Sequence, residues 1–492
     1  MNAAEASRHA LRLAAAGREI AEKREAVARS AFRQGFHLMP ETGWMNDPNG
    51  LIYFRGKYHF FYQFYPYAPR WGSMHWGHAV SDDLLRWEHL PPALAPSEEY
   101  DDHPSGGCFS GSAIEHGGRL YLFYTGCADR GRGMEQTQNL AFSDDGIHFE
   151  KYSGNPLLTA PEGVPPDSFR DPKVWRQGDT FFLICGASRA GRAQILLYRS
   201  DDLLHWEFFR VLYESRGEWG DMFECPDFFE LQGSHVLVFS PMGCGERKSV
   251  YLTGDFDART GKFFPKVTGE LDWGFQYYAP ASFLAPDGRR ILAAWANGWQ
   301  WMPFWKSFGP TERDGWCGAF TLPREARLQK DGTLSLLPVR ELQQLRKNET
   351  NLGEAVLSEG ESLPLRRGCR WDAELAIDLS SPASSAVFTL RSANGNRTVL
   401  TVDLLQSELR LDLTASDGSS SGIARAPLDL AGQDTLPLRL CSDRISLEIF
   451  AGGGRSNISC NVYTTAENEE NFLTAEGGEL KLRNLRCADL EM

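Results

Sequence analysis

Three acidic residues occupy comparable places in three short apolar hairpins of this 492-residue chain. Asp47 stands nine residues before the turn glycine Gly56, Asp171 seven before Gly178, and Glu224 nine before Gly233. Strand side chains alternate between faces with period two, so these odd spacings let all three acids project to one face near the same strand end. Carboxylates aimed into one concave site repel each other, which raises at least one pKa and can keep a carboxyl protonated near neutrality. Glycoside hydrolysis needs one ionised carboxylate, one carboxylic acid and a further charge to stabilise a cationic transition state. An Asx-Pro turn would account for Asp47 in NDPNG or Asp171 in RDPK, and an edge-strand position for Glu224; their conjunction points to chemistry.

The elements that must hold them are short strands. From Phe36 onward the chain is built of apolar runs rich in Tyr, Phe and Trp, separated by Gly, Pro and Asp turns. One hairpin recurs five times: KYHFFYQ at 57, RLYLFYT at 119, DTFFLIC at 179, SHVLVFS at 234 and RRILAAW at 289, at intervals of 62, 60, 55 and 55 residues. A second echo, SDDLLRW at 81, SDDGIHF at 143 and SDDLLHW at 200, follows three of them. Units of this length with four short strands each predict a five-bladed β-propeller over 36–325. Innermost strands of different blades converge at one end of the axis, where the acids of the first, third and fourth units can meet. Thirteen of the fourteen tryptophans lie at or before Trp316. Beyond them PVRELQQLRKN reads as a helical connector within a linker spanning 326–350. Alternating runs such as WDAELAIDL and RISLEIFAG then predict a β-sandwich over 351–492. Residues 1–35, rich in Ala, Glu, Arg and Lys, read as a short N-terminal helical segment on an otherwise all-β protein.

Composition narrows the partners. With 51 Lys and Arg against 65 Asp and Glu, the net charge of −14 offers no global field for nucleic acid or anionic lipid. No apolar run reaches transmembrane length, and the longest uncharged N-terminal stretch, Leu13 to Gly17, is too short for a signal-peptide core. The ten cysteines contain no CxxC pair, which fits reduced thiols in a cytoplasm. His75 and His78 make a poor metal pair, and GDFDARTGK lacks the residues of a phosphate loop. A small sugar substrate without metal or other cofactor is expected; assembly into homo-oligomers is left open.

The motifs Trp44-Met45-Asn46-Asp47-Pro48-Asn49-Gly50, Phe109-Ser110-Gly111-Ser112-Ala113, Phe169-Arg170-Asp171-Pro172 and Glu224-Cys225-Pro226-Asp227 resemble, in order, those of glycoside hydrolase family 32. That family includes invertases, sucrose-6-phosphate hydrolases, inulinases and levanases. The likeness extends through HWGHAVSDDLLRWEHLPPAL, YYAPASF and LPRE. It implies a retaining β-fructosidase acting on sucrose or sucrose 6-phosphate, with Asp47 as nucleophile, Glu224 as acid and base, and Asp171 holding sugar hydroxyls. It also assigns Trp44, Asn46, Gln63, Trp71, Phe109, Ser110, Arg170 and Trp295 to the sugar pocket. Arg170 should face away from it on a regular strand, so its help requires an irregularity. The chain departs from the family at Tyr65, where Asn is common. The aromatic stretch Trp299 to Lys306 is expected to pack rather than bind sugar. Arg70, Arg189, Arg192, Arg247 and Lys306 are the candidates for holding a phosphate. An exo-acting fructanase, a fructosyltransferase and a non-catalytic sugar-binding propeller are the alternatives.

Overall fold

The computed structural model describes residues 7–419, 422–465 and 469–492. The first six residues of the segment read as helical lie outside them. The helix spans Arg8–Val27, started by Ser7, whose Oγ accepts the Ala10 N–H over 3.2 Å. It lies against the strand Glu88–Leu94, and its buried His9 accepts the Ala95 N–H.

Five antiparallel sheets follow in chain order, each led by a strand that enters from the axis: Gly43–Phe54, Gly107–His116, Phe169–Gln177, Met222–Leu231 and Tyr278–Leu284. Each of these leading strands contacts the leading strands of the two sheets beside it, and the fifth returns to the first, so the sheets close into a ring. Hairpin period and blade agree: the five recurring apolar runs are the second strands. The SDD echoes are one repeated turn. Ser81, Ser143 and Ser200 each accept, through Oγ, the N–H three residues on. Asp83, Asp145 and Asp202 each cap the next two N–H groups but one, through Oδ1. The residue in the middle, Leu84, Gly146 or Leu203, takes φ of 66°, 81° or 69°.

The ring is locked by a segment from far down the chain. Trp316–Cys317 pairs in parallel with Gly43 and Trp44, on the side of the first strand away from its own hairpin. The propeller also runs further than 325. Strands Arg324–Leu328 and Leu334–Pro338 complete the fifth sheet, so the expected 326–350 linker is in fact blade, a 3-10 turn at Arg340–Leu345, and the opening of the next strand. From Arg346 two six-stranded antiparallel sheets pack as a sandwich.

The two domains share buried polar contacts. Arg324, fully buried, donates to Asp272 over 2.8 Å and to Glu448 over 2.6 Å, joining the fourth blade's exit and the sandwich to the fifth blade. His37 bridges Asp443 at 2.8 Å and Glu448 at 3.0 Å. Burial disfavours its charge, but these two carboxylates outweigh it and push its pKa up to about 9.

Candidate active site

Every leading strand is irregular near its axial end. Pairing slips between Met45 and Pro48, Phe109 and Gly111, Arg170 and Lys173, Glu224 and Asp227, and Tyr278 and Ala281. Four of these bulges carry a residue followed by proline: Asp47-Pro48, Asp171-Pro172, Cys225-Pro226 and Ala279-Pro280. Asp171, Cys225 and Ala279 sit there with φ of 65°, 47° and 51°, an uncommon conformation for residues with a side chain. In the second blade the slip leaves Ser110 unpaired, and the next residue is Gly111, where a Cβ would lie 1.9 Å from the Phe123 carbonyl oxygen.

These bulges correct the parity argument. Asp47 and Asp171 occupy the position before the proline, but Glu224 stands one residue earlier, level with Asn46, Arg170 and Tyr278. On regular strands the two sets would face opposite ways; the bulges turn both towards the axis. The irregularity that Arg170 required is therefore present, and its side chain reaches the acids.

A cavity of about 390 Å³ opens at this end of the ring. Asn46, Asp47, Gln63, Trp71, Phe109, Ser110, Arg170, Asp171 and Glu224 line it, together with Gln136, Trp299, Gln300, Trp301 and Phe308. Two expected pocket residues are not among them. Trp44 and Trp295 are fully buried behind the wall, packed on each other and on Trp299. Trp44 acts on the site at one remove, donating Nε1–H to Asn46 Oδ1 over 2.7 Å. The aromatic stretch divides: Met302 and Phe304 join the core as expected, whereas Trp299 and Trp301 face the cavity. None of the five candidate phosphate-binding residues lines it.

The acids differ in their surroundings. Asp47 Oδ2 accepts the Ser110 hydroxyl over 2.8 Å and the Cys225 thiol at 3.6 Å, while its buried Oδ1 has no hydrogen-bond partner. Burial and the nearby Glu224 push its pKa up to about 6, against the pull of the neighbouring Ser110, Asn46 and Cys225 side chains. Asp171 accepts the Cys225 N–H over 2.8 Å. Burial carries it up to about 7; the Arg170 cation pulls it back, and Glu224 and Asp47 add to the rise. Glu224 is clamped from both sides. Arg170 donates Nε–H and Nη2–H to Oε1 over 3.2 and 3.0 Å, and the Tyr278 hydroxyl donates to Oε2. Burial and Glu224 hold the Tyr278 pKa well above its ordinary value, so it remains a donor. Gln136 steadies this arrangement, its Oε1 accepting the Phe169 N–H over 3.0 Å and an Arg170 N–H over 3.4 Å.

Gln136 gave no sequence signal. Tyr278 did, because Tyr278-Ala279-Pro280 repeats the order of Glu224-Cys225-Pro226 one blade on. A wider cleft of about 600 Å³ lies on the sandwich, but its Arg366 and Arg367 face Asp489 and Glu470, which leaves opposed charges and no acid pair. Among the described residues no group of three or more His, Cys, Asp or Glu side chains is arranged to hold a metal ion; His78 meets His59 instead.

What the cavity offers is a carboxyl hydrogen-bonded on one oxygen alone, a second carboxyl clamped on both, a third acid beside them, and amides, a hydroxyl and aromatic faces around the rim. Such a set suits a neutral polyol with a bond to be cleaved between two acids.

Comparison with known proteins gives the same picture. The N-terminal domain of glycosyl hydrolases family 32 matches residues 37–338, and the family's C-terminal domain matches 341–489. A sucrose-6-phosphate hydrolase of Zymomonas mobilis is 39% identical over 91% of this chain and 90% of its own length. One from Escherichia coli is 38% identical over 92% and 94%. Among solved structures, a β-fructofuranosidase of Bombyx mori superposes with a TM-score of 0.81 at 34% identity, covering 97% of this chain and 98% of that one. A sucrose-6-phosphate hydrolase of Lactobacillus gasseri superposes with a TM-score of 0.84 at 27% identity, with 96% of both chains covered. Matched over both domains and along nearly the whole length of its relatives, the chain belongs to glycosyl hydrolase family 32.

Proposed function

We propose that this chain is a retaining β-fructofuranosidase that removes the terminal fructofuranosyl unit of sucrose or sucrose 6-phosphate. The observation that carries this is the pairing of Asp47, whose Oδ1 is buried and unpaired, with Glu224, whose carboxyl is held by Arg170 and Tyr278 in the same cavity. The Asp47 carboxylate attacks the anomeric carbon while the departing oxygen takes the proton of Glu224, giving a fructosyl ester and a free sugar. Glu224, now a carboxylate, then removes a proton from water as the water oxygen attacks the same carbon, and Asp47 leaves as carboxylate. With its midpoint at about 6, Asp47 is mostly ionised at neutrality, as attack on the anomeric carbon requires. Asp171 stays close to the ring, where it accepts sugar hydroxyls and stabilises the oxocarbenium character of the transition state.

The relatives named as sucrose-6-phosphate hydrolases and invertases support the substrate class. The ten cysteines, all unpaired, fit work in a reducing cytoplasm; no helix among the described residues is long and apolar enough to cross a membrane. The test is Asp47→Asn against wild type on sucrose. The variant is expected to lose more than about a thousandfold in kcat, and activity within about tenfold, or about 1.4 kcal/mol of barrier, would refute the mechanism.

A further inference from the structure

On this fructosidase reading the scissile bond lies between Asp47 and Glu224, so the fructosyl ring covers Asp47 and Ser110 and the departing group extends on the side of Glu224. That side is marked by Tyr278, which holds Glu224 through its hydroxyl. The Tyr278 ring meets Trp301 edge to face, with centroids 6.2 Å apart and planes at 78°. Trp301 lines the cavity yet remains 42% exposed, with the exposed Gln300 beside it. An indole left in water next to an amide matches the apolar C–H face and the hydroxyls of a hexopyranose.

Charge argues in the same direction. Among the described residues the one cation lining the cavity, Arg170, spends Nε and Nη2 on Glu224 and turns Nη1 to Gln136 Oε1 and the Asp167 carbonyl. Three carboxyls share the space, which disfavours a phosphate dianion. We infer that Trp301, with Gln300, forms the subsite for the departing sugar and takes it as a neutral hexopyranosyl group, so that a phosphate on that sugar adds nothing to turnover. Its position at the open rim leaves room for a departing group longer than one sugar.

The experiment compares wild type, Trp301→Phe and Trp301→Ala on sucrose, sucrose 6-phosphate and methyl β-D-fructofuranoside, whose departing group is methanol. Trp301→Ala is expected to lose about tenfold or more in kcat/KM on sucrose, chiefly through KM, and less than about twofold on the methyl fructoside. Trp301→Phe, which keeps an aromatic face, recovers most of the loss. Wild type is expected to favour sucrose 6-phosphate over sucrose by no more than about twofold. Equal losses on sucrose and methyl fructoside would mean that Trp301 merely props Tyr278, and would overturn the subsite. Unchanged sucrose kinetics in Trp301→Ala, or a stronger preference for the phosphorylated sugar, would overturn it too. A wild type inert on all three sugars would overturn the fructosidase reading and the subsite with it, whereas the other results sink the subsite alone.

Discussion

Ser110→Ala removes one hydrogen bond from the proposed nucleophile, and its consequence can be worked out in advance. The Ser110 hydroxyl donates to Asp47 Oδ2 over 2.8 Å, and both residues are buried. A hydrogen bond to a charged acceptor contributes about 1.5–3 kcal/mol. It favours the ionised carboxylate, and about 1.4 kcal/mol corresponds to one pH unit of titration. Losing it therefore raises the Asp47 midpoint from about 6 by about one to two pH units. The nucleophile must be ionised to attack, so the acidic limb of the kcat/KM profile on sucrose moves up with it. At the lower end of that range, activity at pH 5 falls roughly tenfold relative to wild type, while at pH 8 the loss stays below about twofold. The assay is kcat/KM from pH 4.5 to 8.5 for both proteins. A loss of equal size at every pH would show that Ser110 serves the sugar rather than Asp47, and an unmoved limb would refute the electrostatic account outright.

The shared polar contacts between the domains give two stability predictions. His37 titrates at about 9 in the folded chain against an ordinary 6.5, so its contribution is fully present below about pH 6.5 and lost as pH rises through about 9. Linkage puts it at roughly 3 kcal/mol. The unfolding free energy, measured in guanidinium between pH 6.5 and 10, should fall with a slope that His37→Gln lacks; identical slopes in the two proteins would disprove the bridge. Arg324→Met leaves Asp272 without its counter-charge and Glu448 with only His37. It is expected to destabilise the fold by about 3–5 kcal/mol, and an unfolding midpoint indistinguishable from wild type would contradict the role given to Arg324.

The architecture was legible because its parts repeat. A hairpin every 55 to 62 residues and an SDD turn with the same hydrogen bonds each time are local signals, each fixed by a few adjacent residues. The three acids were legible by type and motif, but their geometry was not. Parity counting assumes regular strands, and these strands bulge where the chemistry is, which put Glu224 on a different rung from Asp47 and Asp171. Trp44 and Trp295 show the opposite failure, since a residue beside the site in sequence can lie behind it in space. The fifth blade was cut short at 325 because Arg324–Leu328 and Leu334–Pro338 fall beyond the last tryptophan-rich run and so read as linker. Gln136 and the Arg324 contacts depend on partners from other blades or the other domain, and no spacing along the chain encodes that.

The lock between Trp316–Cys317 and Gly43–Trp44 also sets a timetable. During synthesis Asp47 emerges early, and Asp171 and Glu224 follow, yet the first strand lacks one of its two neighbours until some 270 residues later. A nascent chain halted before 316 holds all three site acids but neither the lock nor the outer strands of the fifth blade. Catalysis is thus delayed by topology alone: the residues that would attack a sugar are present from the first blade, and the last blade decides when they can.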